Sequence, residues 1–200
     1  MIFKKEKTAF DYLIVGLGNI GMKYEGTRHN VGFACVDTLS TKVSFKPYKN
    51  KFKAEITECM INGNRCLVAK PTTFMNLSGE AVAEIIKFYK IPIEKVIVIS
   101  DDVDTEQGRI RIRKSGNHGG QNGLRNIIDM CGSNNFPRVR IGIGRSGHPD
   151  FNMVDWVLSC YKGEEGEKVK SAINNAADAV ISIITDGIDK AMTKYNRQVL

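Results

Sequence analysis

Residues 12–33 constrain what this chain can fold into more than any other stretch. Tyr12 to Val15 is a short apolar run stopped by Gly16, which reads as a strand buried on both faces. Glycines at 16, 18 and 21 then break the pattern, and Asn19, Tyr24, Arg28, His29 and Asn30 follow in a polar loop. Ligand sites of α/β folds are built at such strand ends, so this loop is a candidate active-site edge.

The rest of the chain supplies the layers around that strand. Val31 to Leu39 reads as a helix opened by the polar segment 27–30. Phe52, Ala54 and Ile56 alternate with Lys53, Glu55 and Thr57 as in a half-buried strand. Asn62-Gly63 predicts a tight hairpin, because both positions tolerate positive φ. Cys66 to Ala69 is the return strand, ended by Pro71. Ser78 is the expected cap of a helix carrying Val82, Ile85, Ile86 and Tyr89 on one face, with Pro92 as its stop. Val96 to Ile99 is a second buried strand, running into Ser100, Asp101, Asp102 and Asp104. Residues 109–113 alternate arginine with isoleucine, and 115–123 is a glycine-rich loop. Leu124, Ile127, Ile128 and Cys131 form a helical stripe with Gly132 beyond it. Val139, Ile141 and Ile143 read as another strand, and a long amphipathic helix starts at Glu164. Strands alternating with helices predict an α/β fold: a single three-layer domain, with helices on both faces of a mixed, mostly parallel twisted sheet.

A chain of 200 residues that is 42% hydrophobic buries a large core without disulfides or metal. Its five cysteines are scattered, with no Cys-x-x-Cys, as expected of free thiols in a reducing cytosol. No apolar run reaches the ~20 residues of a membrane helix, and residues 1–10 lack a signal-peptide pattern. The expectation is a cytoplasmic protein. A net charge of +7 is compatible with an anionic partner and equally with plain solubility.

Gly16-x-Gly18-x-x-Gly21 spells a dinucleotide fingerprint. That fingerprint needs a helix starting inside it, whereas here Gly26 falls where a first turn would build and no apolar stripe follows. Sharp turning and close backbone approach to a substrate is the reading preferred to a nicotinamide or flavin site. His29 is one of three histidines, and its place in a polar loop past a buried strand suits a general base. Asp101, Asp102 and Asp104 fit a solvated turn, a Mg²⁺ site, or a carboxylate that orients His29. Asn76 and Asn122 are uncharged donors near helix starts, suited to an oxyanion or substrate carbonyl, or to capping. No Gly-x-Ser-x-Gly elbow is present, so direct attack by water is the simplest chemistry. Arg109, Arg111 and Arg113 share one strand face, Lys114 extends the charge, and Arg138 and Arg140 repeat the alternation. Such a row is either a solvated face or a binding surface for a phosphate backbone.

Taken together these residues resemble the bacterial-type peptidyl-tRNA hydrolases. The blocks are Gly16-Leu-Gly-Asn-Ile-Gly, Thr27-Arg-His-Asn-Val-Gly-Phe33, Lys70-Pro-Thr-Thr-Phe-Met-Asn-Leu-Ser-Gly79, Asp101-Asp-Val-Asp104, Gly119-Gly-Gln-Asn-Gly-Leu124 and Arg138-Val-Arg-Ile-Gly-Ile-Gly144. They fall in order across about residues 10–160. The resemblance implies hydrolysis of the ester joining a peptide to the 3′-terminal ribose of tRNA, by a monomer without metal or cofactor. By the same resemblance His29 is the base that activates water, Asp101 its orienting partner, and Asn19 the group that checks for an acylated α-nitrogen. Tyr24, Phe74, Met75, Asn76 and Asn122 would contact the peptide and the tRNA end, and Arg113 and Arg140 the tRNA phosphate. Residues 1–9 would be an extension and 10–200 the hydrolase-like domain. Two positions depart from the family's pattern: Ile20 stands where proline is usual, and Gln121 where histidine is common. Glutamine neither accepts nor releases a proton but still donates and accepts hydrogen bonds. Activity is expected to survive, with His118 available to substitute in part. The competing readings are a non-catalytic RNA-binding module, which Gln121 invites, and a nucleotide-cofactor enzyme.

Overall fold

Leu13, Ile14 and Val15 are apolar without alternation, and the strand they form, β1 (Tyr12–Gly16), is buried on both faces. It lies inside a seven-stranded sheet in a computed structural model that describes residues 9–147 and 152–197. The expected extension at residues 1–9 falls almost wholly outside the described residues.

Helix α1 (Val31–Lys42) follows β1, and then comes the antiparallel set β2 (Lys49–Lys51), β3 (Ala54–Ile61) and β4 (Asn64–Pro71). Asn62 and Gly63 have φ of 47° and 79°, the doubly left-handed turn expected of Asn-Gly. Helix α2 (Ser78–Tyr89) leads to β5 (Val96–Asp102), and β6 (Ile110–Arg113) pairs antiparallel with β7 (Arg138–Gly142) after α3 (Asn122–Cys131). The sheet order is β2-β3-β4-β1-β5-β7-β6, with β4, β1, β5 and β7 mutually parallel. Helices α4 (Met153–Leu158), α5 (Glu164–Thr185) and α6 (Ile188–Tyr195) complete the chain.

Two apolar layers sandwich the sheet. Ile14, Ile97 and Ile99 pack with α1 and α5 on one face, and Leu13, Val15, Val96 and Val98 with α2 and α3 on the other. The three-layer, mixed and mostly parallel sheet is therefore as the sequence predicts. Among the described residues no helix is long and apolar enough to cross a membrane.

Several local expectations are corrected. Ser78 does not cap α2: it is the helix's first residue, and its hydroxyl donates back to the Met75 carbonyl at 2.9 Å. The helix ends at Tyr89 on a left-handed Lys90, before Pro92 is reached. Arg109 lies outside β6 and pairs with Glu106 at 3.1 Å. The close approach made by Gly16 is to the chain itself: a Cβ there would meet the Gly32 carbonyl oxygen at 2.5 Å, so α1 starts hard against the ends of β1 and β5. That packing sets the site.

Candidate active site

Gly16 lies opposite Ile99 in the pairing of β1 with β5, and the Leu17 N–H continues that ladder to the Ile99 carbonyl at 2.9 Å. There β1 ends, while β5 runs three residues farther to Asp102, at the position where the chain crosses over β1 between β4 and β5, the place where such sheets bind ligands. A short 3₁₀ turn over residues 28–30 carries His29 from the β1 side, while β5 carries Asp101. His29 Nδ1 and Asp101 Oδ2 are 2.8 Å apart. A carboxylate only accepts, so Nδ1 carries the proton and Nε2 is the nitrogen with a lone pair. The pair is well shielded, with side chains 12% and 3% exposed. Burial by itself draws the imidazole pKa down, but the Asp101 charge and its hydrogen bond push it up, and the balance leaves His29 above its ordinary 6.5.

The three carboxylates serve three separate purposes, because neighbouring residues on a strand face opposite ways. Asp101 meets His29. Asp102 turns to Arg140 Nη1 at 3.2 Å and accepts from Thr105 Oγ1 at 3.0 Å. Asp104 lies farther out and pairs with Arg145 at 2.6 Å. The solvated-turn reading fails for the first two, and among the described residues no three His, Cys, Asp or Glu side chains converge as a metal site would need.

Asn19 is buried at the loop after β1, and its side-chain Oδ1 accepts the Met75 N–H at 2.8 Å. Asn30 brackets its backbone, accepting from Asn19 N at 2.8 Å and donating to Asn19 O at 2.9 Å. The Asn19 amide is therefore fixed with its NH₂ group as the free donor. Met75 is buried beneath the cleft, whereas its neighbour Phe74 is half exposed. Phe74 has φ of 59°, a conformation that side chains rarely adopt and that functional sites retain. This swings its ring out, edge to face with Tyr24 at 6.2 Å. Asn76 is exposed on the same turn, and Asn122 opens α3 at the cleft wall.

Around the dyad runs a cleft of about 230 Å³ whose walls include Gln121, Asn122, Arg140, Met153, Val154 and Val157. A larger, more open groove of about 630 Å³ lies past Arg145 but contains no histidine. Beyond Arg140 a smaller concavity of about 190 Å³ is lined by Arg111, Arg113, Arg138 and Arg140 and by no carboxylate. Pairing of β6 with β7 sets Arg111 against Arg140 and Arg113 against Arg138, which concentrates the charge. Arg138 is itself buried and donates to the carbonyls of Gly116 at 2.5 Å and Asn134 at 2.8 Å. Burial and the adjacent Arg140 lower it to about 10, still a cation at neutral pH. Lys114 is drawn off by Asp189 at 2.6 Å, which leaves Arg111 and Arg113 as the exposed charges.

Four features escaped sequence reasoning. Arg28 is buried between the rings of Trp156 and Tyr161, 3.8 and 4.6 Å from their centres, and bonds Ser159 Oγ, the Cys160 carbonyl and Glu165. Helix α4 walls the cleft. Asn152 caps it by accepting the Asp155 N–H at 2.9 Å, and that polar pair three residues apart was a readable start signal. Asn30 holds the Asn19 loop. Gln121 contacts Asp101 directly, at 3.1 Å. His118 does not take its part: its Nδ1 accepts the Gly120 N–H at 3.0 Å inside its own loop.

The profile of the peptidyl-tRNA hydrolase family matches residues 13–200. The peptidyl-tRNA hydrolase of Caldanaerobacter subterraneus subsp. tengcongensis is 49% identical over 92% of this chain and 99% of its own. That of Bdellovibrio bacteriovorus is 46% identical over the same shares. The crystal structure of peptidyl-tRNA hydrolase from Acinetobacter baumannii superposes with a TM-score of 0.87 at 36% identity, covering 93% of this chain and 94% of that one. Sequence blocks, sheet order and cleft thus agree with one another, and the chain belongs to the peptidyl-tRNA hydrolase family of enzymes.

Proposed function

We propose that this protein hydrolyses the ester of peptidyl-tRNA, or of any N-blocked aminoacyl-tRNA, and releases tRNA and the acyl chain with His29 as the base. The observation that carries the mechanism is the 2.8 Å contact between His29 Nδ1 and Asp101 Oδ2 at the wall of the cleft. With Nδ1–H committed to the carboxylate, Nε2 takes a proton from water as the water oxygen attacks the ester carbonyl. The carbonyl π electrons move to oxygen. Collapse of the tetrahedral intermediate breaks the bond to the ribose 3′ oxygen, and the proton on Nε2 passes to that leaving oxygen. Asp101 stabilises the imidazolium between the two transfers.

Asn19 accounts for selectivity. Its fixed NH₂ is a donor, and an acylated α-nitrogen brings a carbonyl acceptor beside it. A free aminoacyl ester presents an ammonium, which only donates, so the pairing fails and charge is left without an acceptor. In this reading Asn122 at the cleft wall and Asn76 on the exposed turn beside Phe74 hold the substrate carbonyl and terminal nucleotide, and the edge-to-face rings of Tyr24 and Phe74 offer an aromatic contact for the base. Met75 acts from below, as the link between Asn19 and Gln121. Arg113 and Arg140, with Arg111, offer an anion site for tRNA phosphate. The reading carries with it action as a monomer, in the cytoplasm where peptidyl-tRNA is made.

The test is release of N-acetyl amino acid from N-acetyl-aminoacyl-tRNA in the presence of a chelator, beside unblocked aminoacyl-tRNA. Cleavage of the blocked substrate alone is expected. Binding without cleavage would make the protein an RNA-binding module instead.

A further inference from the structure

Asp101 has two carboxylate oxygens, and both are engaged. Oδ2 meets His29 Nδ1 at 2.8 Å, and Oδ1 accepts from Gln121 Nε2 at 3.1 Å. The other end of the Gln121 amide is held as well. Gln121 is the N-cap of α3, and its Oε1 accepts the Leu124 N–H at 2.7 Å. Turning the amide over would set NH₂ against that N–H and oxygen against a carboxylate, losing both bonds. The buried side chain is therefore locked as a donor to Asp101, with Met75 Sδ also 3.0 Å from Nε2.

The geometry points to Gln121 as a positioning residue of the His29–Asp101 pair: its amide pins the second oxygen of Asp101, keeps the first aimed at His29, and has no proton of its own to exchange. Its effect on rate rests on the hydrolytic function proposed above; the coupling to His29 does not. Other charged groups facing the cluster have their own partners. Asp102 of β5 pairs with Arg140 of β7 at 3.2 Å, Arg28 with Glu165 of α5 at 2.6 Å, and Arg145 with Asp104 at 2.6 Å. The Tyr161 hydroxyl is pushed up by burial and stays neutral, and His118 bonds within its loop. Among the described residues His29 is thus the one imidazole bonded to Asp101.

Histidine titration of the full chain without substrate, followed by NMR and assigned with His29→Ala, tests the coupling. Two variants divide the bonds of Gln121. Gln121→Glu keeps an oxygen to cap Leu124 but replaces the donor by a carboxyl group against Asp101. Gln121→Leu removes donor and cap together. The added charge in Gln121→Glu is expected to raise the His29 midpoint by about one pH unit. Loss of the shared hydrogen bond in Gln121→Leu is expected to raise it by about half a unit. The kcat for N-acetyl-aminoacyl-tRNA falls about tenfold in Gln121→Leu while KM stays within about twofold. A His29 midpoint unmoved in Gln121→Glu, with melting temperature preserved, overturns the proposal. A moved midpoint in a protein that does not cleave substrate supports the coupling and removes the hydrolytic reading alone.

Discussion

The guanidinium of Arg28 lies 3.8 Å from the ring centre of Trp156, joining the turn that carries His29 to the helix that walls the opposite side of the cleft. With three hydrogen-bond partners on 159–165 and the Tyr161 ring beside it, Arg28 forms a buried tie between segments more than 130 residues apart. Removing it takes the charged partner from Glu165, which keeps the weaker bond from Gln107 Nε2, takes one bond each from Ser159 Oγ and the Cys160 carbonyl, and unpacks the rings. Arg28→Ala is expected to lose about 3 kcal/mol of unfolding free energy in urea titration. Arg28→Lys recovers only a minor part, because an ammonium neither forks nor stacks.

Asn19→Asp isolates the donor. The variant keeps an oxygen for the Met75 N–H, so the loop stays in place, but it loses the NH₂ group. Its kcat/KM on N-acetyl-aminoacyl-tRNA is expected to fall about 100-fold, or about 2.7 kcal/mol, with the melting temperature nearly unchanged. Steady-state rates on blocked and free substrates measure this.

Arg113 and Arg138 face one another across β6 and β7 but are expected to fail differently. Arg113 is exposed, so Arg113→Ala weakens tRNA binding and lowers the slope of log K against log salt by about 1. Cleavage of a minimal substrate stays within about twofold. Arg138 bonds the carbonyls of Gly116 and Asn134, so Arg138→Ala acts through folding stability. A salt titration of binding and a melting curve for each variant separate the two.

The raised pKa of His29 fixes two pH effects. On the proposed mechanism His29 works neutral as a base, so the acidic limb of kcat/KM is expected above the ordinary 6.5. For stability the sign is opposite. Protonated His29 is favoured in the folded state, so its contribution is complete below the unfolded pKa near 6.5 and is lost as pH rises through the folded value. In Asp101→Asn the limb moves to lower pH, and the rate on the alkaline plateau drops about a thousandfold. A pH–rate profile of each protein tests both statements.

Much of this was legible in the sequence because it depends on local pattern. The unbroken apolar runs at Tyr12–Val15 and Val96–Ile99 announce doubly buried neighbouring strands, and these carry His29 and Asp101 to one edge. Asn62-Gly63 announces the hairpin that makes the sheet mixed. What stayed hidden depends on contacts distant in sequence. Nothing near Arg28 says that it is buried against Trp156, and nothing in the run Asp101-Asp-Val-Asp104 says which carboxylate meets the imidazole. Strand parity settles that only once Arg140 is known to face Asp102. Gln121 reads as a loss against the family's usual histidine until its amide is seen bonded to Asp101 at one end and capping α3 at the other.

Single-turnover hydrolysis of N-acetyl-aminoacyl-tRNA by the parent protein and by His29→Ala, at a pH above the acidic limb and with chelator present, tests the central claim most directly. The variant is expected to fold normally, bind tRNA as tightly as the parent, and cleave at least about a thousandfold more slowly. Cleavage by His29→Ala at the parental rate would contradict water activation by this imidazole.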